Sequence, residues 1–187
     1  GYPILCGAFF FCLGVFQSYQ NSREANDILY SVLLPVSKRD VVKGKYLAAA
    51  VLQMVMFALC AICTIIRMVF MSDTDVYETN ALMAANLVYL AFVLLIFAAF
   101  NIIFIGGFFK TAYGVGKPFI LFIIVNFVII AIAEALHHIP GLAWANTLDF
   151  SYAGGQLAIL VIGIAIYTAV TIFSCKISQN RFESIDL

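Results

Sequence analysis

The sequence predicts an all-α integral membrane protein, a single domain over residues 1–187, and three observations carry that prediction. The composition is 64% hydrophobic and 11% charged, against about 25% charged and about 45–50% apolar residues in an ordinary soluble domain. A soluble fold would have nowhere to place the excess. The apolar residues come in continuous runs, not in the short alternating segments of a barrel strand. The Lys and Arg residues collect in every second connection between those runs, the bias that marks cytoplasmic loops.

A helix needs about 20 mostly apolar residues to cross a hydrocarbon core about 30 Å thick. The first run, YPILCGAFFFCLGVF at 2–16, is short but reads as a span, and four longer runs follow at about 46–70, 82–109, 118–136 and 155–175. The connection 17–45 holds Arg23, Lys38, Arg39, Lys43 and Lys45. The connection 71–81 has no cation but carries Asp73, Asp75 and Glu78. Lys110 and Lys117 lie in 110–117, 137–154 has neither Lys nor Arg, and the tail carries Lys176 and Arg181. The loops therefore alternate in, out, in, out, in, with a cytoplasmic C-terminus and Gly1 outside. One further span upstream is expected, giving six spans with both ends inside. Arg67, near the outer end of the second run, is expected to snorkel to the surface.

The connection 17–45 is more than a solvated loop. From Asn21 it reads as a short interfacial helix, capped by Asn21 or Ser22, with Glu24 and Asp27 near its positive end and Ile28, Leu29, Val32 and Leu33 repeating on one side. Such a helix lies along the membrane face. Pro35 ends it, and Ser37 with Asp40 forms an S-x-x-D start for the next helix. Lys43 and Lys45 fall at headgroup level, with Tyr46 as an aromatic anchor. On these features alone the segment is either a docking surface or an anchor that only satisfies the charge rule.

The stretch LLPVSKRDVVKGKYL resembles the segment after the second span of bacterial type-2 ABC exporter permeases, which commonly read L-P-[VI]-S-[RK]-x-x-[IV]-V-x-[GA]-K-[YF]. The matching positions are Leu34, Pro35, Val36, Ser37, Lys38, Val41, Val42, Gly44, Lys45 and Tyr46. The resemblance implies that the helix from about Ser22 to Leu34 is a coupling helix docking on an ABC ATPase subunit, with Glu24, Asp27, Ile28, Tyr30, Ser31, Leu34, Pro35, Ser37, Lys38 and Arg39 as coupling residues. It implies a multi-pass protein of the bacterial cytoplasmic membrane, paired with a second permease copy or paralogue. It also implies short re-entrant or extracellular helices before the last span, where Pro140, Gly141 and Trp144 stand. Export of an amphipathic or peptide-like substrate is the expected function, and a non-transporting membrane assembly or regulatory subunit is the alternative.

The remaining chemistry is sparse. YGVGKPF at 113–119 contains G-x-G-K, but a phosphate-binding loop needs G-x-x-x-x-G-K-[ST], and Pro118 occupies the magnesium-binding position. No cofactor is expected on this chain, with ATP and Mg on the partner subunit. His137 and His138 are adjacent, not four apart, so a polar cluster beside Glu134 is favoured over a metal site. The five cysteines lie in apolar runs, and the Cys60-x-x-Cys63 pair reads as packing. Zero net charge implies no nucleic-acid partner; membrane lipid is the expected surrounding. Gln53, Asn86, Asn101 and Asn126 are polar residues inside spans, either interhelical hydrogen-bond glue or candidate substrate-path contacts. The 18 Phe residues suit a path lining or, more commonly, a lipid-facing surface.

Overall fold

The computed structural model describes residues 1–27, 30, 33, 35–70, 85–111, 113–148 and 150–185. Among them every regular element is helical, and five helices are long and apolar enough to cross a membrane: α1 (Tyr2–Glu24), α2 (Lys38–Phe70), α3 (Leu87–Lys110), α4 (Gly116–Ala135) and α5 (Ala153–Glu183). The acidic connection with Asp73, Asp75 and Glu78 lies outside the described residues, as do Ile28, Ser31 and Leu34.

The first helix differs from expectation. It does not stop near residue 16 but continues to Glu24, so the capped start at Asn21 or Ser22 is absent and Glu24 sits at a helix C-terminus. The reason is local. QSYQNSRE contains no Gly or Pro, and the side-chain bonds Gln17 to Asn21 and Gln20 to Glu24, both 3.1 Å, support the i, i+4 face. The helix ends at Ala25, where Asn26 turns left-handed at φ 52°, a conformation Asn tolerates better than most residues. The chain is helical again at Asp27, and the Tyr30 N–H donates to the Asn26 carbonyl at 3.3 Å.

Helix α2 starts as expected. Ser37 Oγ accepts from the Asp40 N–H at 3.1 Å and lies 2.6 Å from its carboxylate. The 33 residues of α2 rise about 50 Å, longer than the hydrocarbon core, so its first turns stand outside it. Arg67 does not snorkel. It is buried in the bundle, where it and Glu134 lie within electrostatic reach of the start of α1.

Helix α3 is the axis of the molecule: 78% of its apolar window is buried, against 17–28% for the other four, and all four pack on it. The Phe residues explain this. Phe97, Phe100, Phe104, Phe108 and Phe122 are fully buried, so much of the aromatic content fills the core instead of facing lipid. Phe16 stacks on Phe119 with ring centroids 3.9 Å apart, and Tyr19 meets Phe108 edge-on at 5.0 Å, a geometry aromatic quadrupoles favour. Between Phe100 and Ile105 the helix widens into a π-helical turn.

Two close approaches fix the packing. A Cβ on Gly163 would stand 3.0 Å from the Ala91 Cβ, which lets α5 lie directly against α3. A Cβ on Gly107 would stand 2.6 Å from the Pro118 Cβ, which closes the α3–α4 hairpin. In that hairpin Tyr113 adopts φ 79°, a left-handed conformation uncommon for a residue other than Gly, and its N–H donates to the Phe108 carbonyl at 3.0 Å. Its ring rests on Phe108 and Phe182, and burial pushes its hydroxyl up to about 12.

At the opposite end, the segment with Pro140 and Trp144 forms short 3-10 turns at Leu136–His138, Ala143–Asn146 and Phe150–Tyr152. Gln156 Nε2 holds this segment by donating to the Trp144 and Thr147 carbonyls at 3.1 and 2.9 Å.

Candidate coupling face and polar core

The connection between α1 and α2 is bound to both flanking helices. Lys45 Nζ donates to Asp27 Oδ2 at 2.7 Å and to Ser22 Oγ at 3.0 Å, and Tyr19 Oη donates to the Lys45 carbonyl at 3.3 Å. The end of α5 closes on the same region: Lys38 Nζ donates to the Ile185 carbonyl at 2.7 Å, and Arg39 pairs with Glu183 at 2.7 Å. The end of α1, the start of α2 and the end of α5 therefore form one face, and the Tyr113 turn joins it through Phe182. The basic connections inferred to share one side do lie at one end of the bundle. Among the coupling residues expected from the sequence, Asp27, Lys38 and Arg39 are committed to bonds within the chain. Among the described residues Glu24 accepts only a neighbouring amide, from Gln20. Tyr30, Leu33 and Val36 present exposed apolar side chains, and Pro35 is exposed beside them.

The polar residues inside spans divide into three environments. Gln53 and Asn101 form a reciprocal carboxamide pair at 2.8 and 3.0 Å, fully buried between α2 and α3. Tyr167 Oη donates to Gln53 Oε1 at 2.8 Å and Asn101 Nδ2 donates to Thr171 Oγ1 at 3.0 Å, which brings in α5. Asn86 serves the other end. It caps α3 by accepting from Val88 N–H at 3.0 Å, and its Nδ2 donates to the Ala145 and Thr147 carbonyls at 2.7 and 3.1 Å. Asn126, fully buried on α4, makes no hydrogen bond with its carboxamide among the described residues.

A second part of the network escaped the sequence reading. Tyr46, read as an interface anchor, is buried, and its hydroxyl lies 2.7 Å from Ser174 Oγ and 2.9 Å from Ser178 Oγ while donating to the Asn101 carbonyl at 3.2 Å. Ser174 Oγ donates to the same carbonyl at 3.1 Å. That carbonyl lies within the π turn, where it also accepts the Gly106 N–H in the i to i−5 pattern. The available signal was Thr171, Ser174 and Ser178 at helical spacing on α5, opposite a tyrosine. In a hydrocarbon surrounding these bonds have little competition from water, so they tie α2, α3 and α5 together. Within the Cys60-x-x-Cys63 pair, Cys60 is buried, Cys63 is exposed, and both are free thiols.

The family model described as ABC-2 family transporter protein matches residues 2–183. The chain belongs to the ABC-2 transporter family. No curated protein and no solved structure matches it. The helical bundle and the family together make it a multi-pass membrane permease subunit of an ABC transporter. ABC-2 permeases are membrane subunits, generally not catalytic themselves, and membership implies an ABC ATPase subunit as partner.

Proposed function

We propose that this ABC-2 permease pairs with a second permease, a copy or a paralogue, to form the export path for an amphipathic or peptide-like substrate, driven by a separate ATPase that carries ATP and Mg. The face that gathers the ends of α1, α2 and α5 is the cytoplasmic docking surface, and the C-terminus lies on that side. One observation supports this reading most: Tyr30, Leu33 and Val36 stand exposed at the basic end of the bundle. They rest on a turn held to α2 through Lys45. A load on this turn passes to α2, and through Tyr46 and Gln53 to α3 and α5.

The test compares Glu24→Lys and Tyr30→Ala with the wild type, each co-expressed with the ATPase. Replacing an interfacial acid by Lys turns attraction into repulsion, which costs several kcal/mol at a docked interface. ATPase co-purification and efflux of a fluorescent amphipathic peptide from proteoliposomes should fall together by about ten-fold or more, while membrane insertion is unchanged. Asp27→Lys is less informative, because it also breaks the bridge to Lys45. Normal ATPase association in both variants would rule out this face. Normal association and ATP turnover without peptide movement by the wild type would favour the non-transporting alternative.

A further inference from the structure

Helices α2 and α5 enclose a surface groove of about 390 Å³ whose mouth carries Lys43 and Lys176 and whose floor includes Tyr46, Leu47 and Ala50. A second groove of about 530 Å³ shares Leu47 and Ala50 and continues along Met54 and Ala58 to Tyr167. The two form one trough. From Lys43 to Ala58 the helix rises about 22 Å at about 1.5 Å per residue, which exceeds half of a hydrocarbon core about 30 Å thick. The trough thus has two ammonium groups at one end and an apolar floor as deep as a membrane leaflet.

The charges at its mouth differ from their neighbours. Lys38, Arg39 and Lys45 are engaged by Ile185, Glu183 and Asp27. Lys43 and Lys176 are exposed, no acidic residue is among the described side chains lining the groove, and neither lysine makes an ion pair among the described residues. Lys43 on α2 and Cys175 and Lys176 on α5 line the same groove. The long lysine stems allow both ammonium groups to sit at headgroup depth while the methylenes cover the apolar wall.

We propose that this trough binds an anionic phospholipid, with its phosphate between Lys43 and Lys176 and an acyl chain along Leu47, Ala50 and Met54. The complementarity is twofold. Basic side chains between spanning helices suit an anionic headgroup, and the apolar floor begins directly beneath them. The site does not depend on the docking assignment, since it belongs to the permease alone.

The test uses the purified full-length permease, without ATPase, in phosphatidylcholine vesicles containing trace spin-labelled phosphatidylglycerol or phosphatidylcholine. The motionally restricted signal should show phosphatidylglycerol selected by about three-fold or more. Lys43→Gln with Lys176→Gln should bring the ratio near one, and Ala50→Trp, which fills the trough with both lysines intact, should lower it as well. Lys110→Gln with Lys117→Gln should leave it unchanged, as should inorganic phosphate against chloride at equal ionic strength. The proposal is overturned by an equal loss from the Lys110 and Lys117 pair, which would indicate general surface charge. Displacement by inorganic phosphate would overturn it in favour of an anion site without a lipid. Full selectivity in Ala50→Trp would remove the acyl trough, and no preference in the wild type would leave the groove to a second copy or to unselected lipid.

Discussion

Gln53, Asn101 and Asn126 carry the same functional group at comparable burial, yet the structure gives them different energetic roles. Gln53→Leu would leave Asn101 Oδ1 without its donor and Tyr167 Oη without its Gln53 acceptor in a medium without water, while Asn101 Nδ2 keeps Thr171 Oγ1. The cost of an unsatisfied buried polar group is about 1–3 kcal/mol. Asn126→Leu removes two polar atoms that have no hydrogen-bond partner and supplies an apolar side chain of similar size, so it should be neutral or stabilising. Thermal unfolding in detergent should show a lower midpoint for Gln53→Leu and an equal or higher one for Asn126→Leu. Equal losses would mean that both carboxamides are bonded alike. If Asn126→Leu keeps its stability but loses transport, the residue belongs to the substrate path. No single-residue reading of the sequence could separate these cases, because the difference lies in which helix each side chain faces. Tyr46 shows the same limit: a tyrosine near a run of lysines reads as an interface anchor until Ser174 and Ser178 are seen across from it.

Four of the five spans were legible because their apolar runs are continuous and long enough, the first run being short, and the S-x-x-D start of α2 was legible because capping is chemistry local to four residues. The helix ends were not, for a physical reason. Hydrophobicity marks where the membrane is, whereas a helix stops only where its backbone is interrupted. Helix α1 therefore runs through QSYQNSRE and α5 through CKISQNRFE, both polar and both without Gly or Pro. The π turn at Phe100–Ile105 had no signature, since FNIIFI is apolar apart from the Asn. Close packing between α3 and α5 was equally hidden, since Gly163 is one of 12 glycines in the chain. Its importance is testable against another glycine of the same helix. Gly163→Leu must push α5 away from Ala91 and open the Gln53–Asn101–Tyr167 network behind it; overpacking of this kind costs about 1–3 kcal/mol. A Cβ at Gly154 meets no atom within 4 Å, and Gly154→Leu should leave the stability within about 0.5 kcal/mol of wild type. Similar effects from both would show that the α3–α5 approach is not limiting.

For the molecule as a whole, two independent arguments bear on its placement in the membrane. The sequence assigns the connections 17–45 and 110–117 and the tail to one side by their Lys and Arg residues alone. The fold brings the same three segments together, through Lys38 with Ile185, Arg39 with Glu183 and the Tyr113 ring on Phe182. The alternation therefore has the parity the bundle requires, and the remaining question is which face meets the cytoplasm. The charge bias predicts that the basic face does, and the docking reading needs the same answer, since the ATPase and its nucleotide are cytoplasmic. Replacing the five native cysteines and introducing Ser37→Cys or Thr74→Cys gives one reporter for each side; Thr74 belongs to the acidic connection outside the described residues. In intact cells a membrane-impermeant maleimide should label the Thr74→Cys variant and leave Ser37→Cys unmodified until the cells are broken. Labelling of both from outside would contradict the parity on which charge pattern and fold agree. Labelling of Ser37→Cys alone would preserve the fold and invert its orientation, and the exposed Tyr30, Leu33 and Val36 surface would then face away from any ATPase.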